Sequence, residues 1–113
     1  MTQDEYLKFH REMCDEARAL SARKNNDYAA PAEHAGDPLA PFRNFTACER
    51  IGLCTTEQGF MVRKLDKFMR LCNLLKPGHK QGVMDESIKD TLQDDLNYSC
   101  LLAAYLKAKG EQQ

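Results

Sequence analysis

The chain has 113 residues and a formal charge of −1, enough for one domain and with no net field drawing it to a nucleic-acid duplex or a membrane surface. Apolar residues make up 42% and charged residues 29%, a balance that excludes a disordered or fibrous chain and fits a globular one. The five cysteines, Cys14, Cys48, Cys54, Cys72 and Cys100, are odd in number and form no C-x-x-C pair, which points to reduced thiols instead of a disulfide framework or a closed zinc site.

The opening residues MTQDEYLKFH are acidic and lack a signal-peptide core, and no apolar run approaches a membrane span, so a cytosolic location is expected. Residues 3–24 read as a helix, because Tyr6, Phe9, Met13, Ala17 and Leu20 recur at three- and four-residue steps. Residues 25–41, NNDYAAPAEHAGDPLAP, hold three prolines and a glycine and show neither period, so a long loop is expected there. Residues 42–51 read as a short helix closed by Gly52. Thr55 then caps a helix over 56–76, with Gln58 as its capping-box partner and an apolar stripe of Met61, Leu65, Phe68, Cys72 and Leu75. Pro77-Gly78 ends that helix, and HKQGVM connects it to the last one, capped by Asp85 and running over 85–107 before GEQQ. No segment alternates with period two. The expectation is one all-α domain over 1–113: a compact bundle of three main helices, a short helix and a long loop, oligomeric through the C-terminal helix.

The stretch DESIKDTLQDDLNY concentrates acid. At about 100° per residue, Glu86, Asp90 and Asn97 share a narrow sector with Asp94 beside them. Ile88, Leu92, Ser99, Leu102 and Leu106 fall opposite. Asp95 falls inside that apolar arc, where a lone carboxylate is costly, so it requires a cationic or hydroxyl partner or a wet subunit interface. A solvated amphipathic face gives such an acidic line equally well. Its chemical readings are a hard-cation site or a row of acceptors for base amino and imino groups.

On the preceding helix Arg63, Asp66, Lys67, Arg70 and Asn73 share the side opposite the apolar stripe. Three cations there suit phosphates, although i,i+4 pairs such as Asp66 to Arg70 on a wet surface give the same pattern. RKNNDY, residues 23–28, is a candidate ligand loop or a helix C-cap. FRNF, residues 42–45, sets Arg43 and Asn44 between Phe42 and Phe45, suited to stacking a base or to stapling the next helix. His10, His34 and His79 lack ligand spacing, and neither a P-loop nor a nucleophile elbow is present.

In order and spacing, KNNDY, DP..PFRNF, ERIG, VRKLDKFMRLCNLLK and DESIKDTLQDDLNY together resemble the phage nucleotide-modification-associated domain family, first type, over residues 20–106. The resemblance implies a small all-α protein of phages or prophages, associated with nucleotides in the host cell cytoplasm. Lys24, Asn25, Asp27 and Tyr28 match the KNxDY segment, and Arg43 and Asn44 match FRNF. Arg63, Asp66, Lys67, Arg70 and Asn73 match the middle helix; Glu86, Asp90, Asp94, Asn97 and Tyr98 match the last. Asp95 and Ala29-Ala30 depart from the pattern.

Three activities follow as expectations. One is a non-catalytic homo-oligomer, dimer or tetramer, that sequesters a cyclic-oligonucleotide immune signal without a cofactor. Its phosphates would lie on Arg43, Arg63, Lys67 and Arg70, with bases stacked by Tyr28, Phe42, Phe45 or Tyr98 and read by Glu86, Asp90, Asp94 or Asn97. A second is a magnesium-dependent pyrophosphatase with Asp66, Glu86, Asp90 and Asp94 as ligands, although E-x-x-x-D-x-x-x-D departs from the E-x-x-E and E-x-x-D pattern of such enzymes. The third is a structural oligomer.

Overall fold

The computed structural model describes residues 1–28, 39–78 and 85–111, with the side chains of residues 25–28 outside that description. The element order is α1 (Gln3–Tyr28), a 3-10 turn (Ala40–Phe42), α2 (Arg43–Arg50), α3 (Thr56–Leu74) and α4 (Glu86–Glu111). The described residues form no strand, in line with the all-α expectation.

The helix ends follow local chemistry. Thr2 and Glu5 form a reciprocal cap at the start of α1: the Thr2 amide donates to Glu5 Oε2 and the Glu5 amide to Thr2 Oγ1. Thr55 and Gln58 make the same box at α3, and Asp85 Oδ1 accepts from the Ile88 amide at α4. Gly52 and Gly78 adopt φ of 80° and 89°, a conformation that side chains with a Cβ disfavour, and these two glycines follow the ends of α2 and α3. Two boundaries differ from expectation by about a turn: residues 25–28, read as the start of a loop, continue α1 to Tyr28, and α4 runs past 107 to Glu111. Asn and Asp cost at most about 0.7 kcal/mol each in a helix, too little to stop one already propagated over six turns. The remainder of the expected loop, residues 29–38, and the connector 79–84 lie outside the described residues.

Helices α3 and α4 pack antiparallel. Lys109 meets Glu57 (3.3 Å), Lys64 meets Asp95 (2.9 Å) and Lys67 meets Asp94 (3.0 Å), so contacts descend α4 as they ascend α3. At one end Phe42, Phe60 and Tyr105 form the buried core, with Leu39, Phe45, Leu101, Leu102 and Ala108 packed around it. Phe45 stacks on Phe60 at 4.7 Å between centroids, and Phe42 meets Tyr105 edge-on at 5.7 Å. The second half of α1 lies on α4. Ala17 is buried and its carbonyl accepts from Asn97 Nδ2 at 2.9 Å, while Glu16 takes Lys89 (2.6 Å) and Gln93 (3.1 Å). Those two hydrogen bonds hold the Glu16 carboxyl below its ordinary pKa. Tyr6 and Phe9, which share a stripe with Ala17 in the sequence, are exposed on the first half of the helix.

Helix α3 does not turn its apolar stripe to the rest of the chain. Met61, Leu65, Phe68 and Leu75 are more than half exposed and Cys72 is exposed, whereas Thr56, Phe60, Arg63, Lys64, Lys67 and Leu71 are buried or half-buried. The partly cationic flank therefore turns toward the rest of the chain, because the carboxylates it pairs with lie on the packed face of α4. The apolar stripe faces out.

Helix α2 meets α3 closely at Gly59. A Cβ built there would stand 2.8 Å from Cys48 Sγ, and that thiol is held by hydrogen bonds to the carbonyls of Phe45 (3.4 Å) and Thr55 (3.7 Å). Gly59→Ala is expected to cost about 1–3 kcal/mol by overpacking. In a Cys48→Ala background the same change is expected to cost clearly less, since the obstructing sulfur is gone. Equal costs in the two backgrounds, by urea denaturation, would show that this contact is not what limits the site.

Candidate functional site

Every helix contributes to one pocket of about 140 Å³. In the measure by which one water needs roughly 10–15 Å³, it has room for about ten waters or for a planar ring with its substituents. Ser21 and Lys24 come from α1, Ala40 and Pro41 from the 3-10 turn, Arg43, Asn44 and Phe45 from α2, Arg63 from α3, and Asp94, Asn97, Tyr98 and Leu101 from α4.

Asp94 anchors the charged side. Its Oδ1 pairs with Lys24 Nζ at 3.2 Å and its Oδ2 with Lys67 Nζ at 3.0 Å; the carboxylate is 18% exposed and Lys67 24%. Burial alone would push the Asp94 pKa up, but the hydrogen bonds from Lys67 and Lys24 and their charges outweigh it and hold the carboxyl below its ordinary value. The acidic line of α4 and the cationic flank of α3 thus meet within one chain. One carboxylate against two ammonium groups leaves this corner with a local excess of positive charge.

The aromatic side is built on Phe45. The Arg63 guanidinium carbon sits 4.4 Å from its ring centroid, and Arg63 Nη2 donates to the Asn44 carbonyl at 3.4 Å. Tyr98 meets Phe45 edge-on at 6.2 Å. The Arg43 carbonyl, which accepts from Thr46 Oγ1 (3.3 Å) and Arg50 Nη2 (3.2 Å), ties the first turn of α2 to its last. Asn97, whose amide nitrogen is engaged by Ala17, is held across the α1–α4 contact.

Of the residues singled out in the sequence, Lys24, Arg43, Asn44, Phe45, Arg63, Asp94, Asn97 and Tyr98 line the pocket, and Lys67 reaches it through Asp94. Phe42 does not: it is 6% exposed and packed on Tyr105 in the core. Asp66, Arg70, Asn73, Glu86 and Asp90 are exposed and are not among its lining residues. The side chains of Asn25, Asp27 and Tyr28 lie outside the described residues. Sequence reading passed over Ser21 and Leu101. Ser21 stands one turn before Lys24 on the same face, and Leu101 follows Asn97 by four, so helical spacing from residues already chosen would have found both.

Asp95, the carboxylate on the apolar arc, does have a cation: Lys64 Nζ bridges Asp95 Oδ1 at 2.9 Å and the Ser99 hydroxyl. Among the described residues, no three of His, Cys, Asp and Glu come together as a cation site, and Asp94, one of the four carboxylates of the magnesium reading, is taken up by Lys24 and Lys67.

These features define an all-α protein with a mixed-charge, aromatic-walled pocket at the junction of its helices. No family model matches the chain, and neither a curated protein nor a solved structure is found to be similar to it.

Proposed function

We propose that the pocket binds one nucleotide moiety, of the kind found in the cyclic-oligonucleotide signals that the sequence resemblance suggests, and holds it without hydrolysis. The observation that carries this reading is the convergence of Lys24, Arg43 and Arg63 with Asn44, Asn97 and Tyr98 on one ring-sized cavity. Cations from three helices attract a phosphate, arginine offers it a two-pronged donor, and the amides and phenol suit the edge and face of a base. The carboxylates of a hydrolase would need to be open to a metal ion, whereas Asp94 has both oxygens on ammonium groups. On this reading the protein acts in the cytoplasm of a phage-infected bacterium and lowers the free concentration of a nucleotide signal.

The test is to incubate the protein with cyclic dinucleotides, and separately with nucleoside triphosphates plus magnesium. Melting temperature is followed first; the protein is then denatured and the small molecules chromatographed. A raised Tm with intact ligand released is the expected result. Monophosphate and pyrophosphate would overturn the reading in favour of hydrolysis, and an unchanged Tm with both sets would overturn binding. Lys24→Ala is expected to weaken affinity about tenfold or more, the value of one charge-assisted hydrogen bond, and Arg70→Ala, outside the pocket, to leave it unchanged.

A further inference from the structure

On α3, Met61, Leu65, Phe68, Cys72 and Leu75 follow one another at alternating steps of four and three. That is the spacing of a heptad seam, in which each apolar side chain inserts between residues of a facing helix. Among the described residues no helix faces this stripe: Met61 is 56% exposed, Leu65 54%, Phe68 61% and Leu75 57%. Val62 and Met69 widen it on one side and are equally exposed. On α4, Leu92, Ser99 and Leu106 recur every seven residues, with Asp95 between the first two, and all three are exposed.

The Lys64 bridge to Asp95 and Ser99 ties these two surfaces into one face. Lys64 stands three residues after Met61 and four before Phe68, on the edge of the α3 stripe, and its partners stand in the α4 arc. The antiparallel α3–α4 pair therefore has one apolar side, crossed near its middle by a lysine–aspartate pair.

We infer that this face is covered by the same face of a second copy, so that two α3–α4 hairpins form a four-helix bundle about a twofold axis. Three observations favour a second copy over other occupants. The face is broad: Met61, Val62, Leu65, Phe68, Met69 and Leu75 along α3 join Leu92 and Leu106 of α4, each more than a third exposed. The face carries a cation and an anion side by side, so two copies related by a twofold present each other with complementary charges, and a formal charge of −1 opposes their approach little. A lipid surface would call for cations flanking the apolar stripe, but Lys64 is held by Asp95, and Arg63 and Lys67 are turned into the chain. The need is also visible inside: among the described residues only Ala17, Phe42, Phe60, Ile88 and Tyr105 are buried apolar residues, a thin core for a chain of this length.

Arg63 lies across α3 from the stripe, so the two pockets open away from the bundle and each copy carries a whole pocket. Assembly and ligand binding are thus separable. Light scattering with size exclusion at micromolar concentration is expected to give twice the chain mass for the wild type. Phe68→Asp, already 61% exposed in the single chain, is expected to halve that mass with the helical circular dichroism retained. Arg70→Asp, on the far side of α3, is expected to stay dimeric. A monomeric wild type, whether or not it binds lipid vesicles, would overturn the inference, as would a Phe68→Asp protein that keeps the doubled mass. Should Phe68→Asp lose its helicity, Leu65→Gln and Met69→Gln, also outward-facing, provide the same comparison, with a retained doubled mass counting against this face.

Discussion

Phe60→Ala is expected to lower stability by about 3–5 kcal/mol, the range for removing a fully buried aromatic side chain. Phe60 is 1% exposed, stacked on Phe45 and 6.2 Å from the Tyr105 ring, so it joins α2, α3 and α4 in one apolar cluster. A domain of this size has about 5–15 kcal/mol of net stability, so the variant should be partly unfolded near its lower limit. Urea denaturation followed by circular dichroism measures the loss. Phe60→Leu, which keeps most of the volume, should cost less than about 1.5 kcal/mol. A loss below about 1 kcal/mol for Phe60→Ala would mean that the three rings do not form the core. The consequence reaches the pocket, because Phe60 supports the ring over which Arg63 is held.

Where helices begin was legible because caps are local: Thr55 with Gln58 and Asp85 with the Ile88 amide need only a few consecutive residues. The need of Asp95 for a cation was legible too, since a carboxylate in an apolar arc is an energetic anomaly wherever it occurs, and Lys64 answers it. The direction in which α3 faces was not. Periodicity shows that Met61, Leu65, Phe68, Cys72 and Leu75 lie on one side, but an apolar side can meet its own chain or another molecule with the same spacing. What turns α3 is the pairing of Lys64 and Lys67 with Asp95 and Asp94, thirty-one and twenty-seven residues further along, together with Phe60 in the core. The acidic line of α4 divides for a related reason: α1 and α3 flank Asp94 and Asn97, whereas Glu86 and Asp90, two turns and one turn earlier, stay in water. Which members of a polar stripe form a site depends on which turns are crossed by a neighbour, and that is a property of packing between distant segments.

Asp94 provides an expected result in which stability and ligand affinity move in opposite directions. Asp94→Asn keeps the shape of the side chain but removes the charge that holds Lys24 and Lys67. The loss of two charge-assisted contacts at a half-buried position is expected to cost about 2 kcal/mol near neutral pH. Because Lys67 and Lys24 hold the folded-state pKa of Asp94 below its ordinary value of 3.8, the wild-type carboxylate stabilises the fold fully above that value. The contribution is lost as pH falls through the lower folded-state pKa, where the folded protein takes up the proton that the unfolded chain has already bound. The gap in denaturation midpoint between wild type and Asp94→Asn should therefore be widest at about pH 7 and shrink in acid. A gap that stays constant from neutral to strongly acid pH would count against the two ion pairs. Affinity should change the other way. Without the carboxylate the two ammonium groups are free to turn to an anion, so titration calorimetry is expected to show several-fold tighter binding of a nucleotide to the less stable variant. Weaker binding would instead assign Asp94 to the edge of the base, as one acceptor among the amides, and would take Lys24 and Lys67 out of the phosphate subsite.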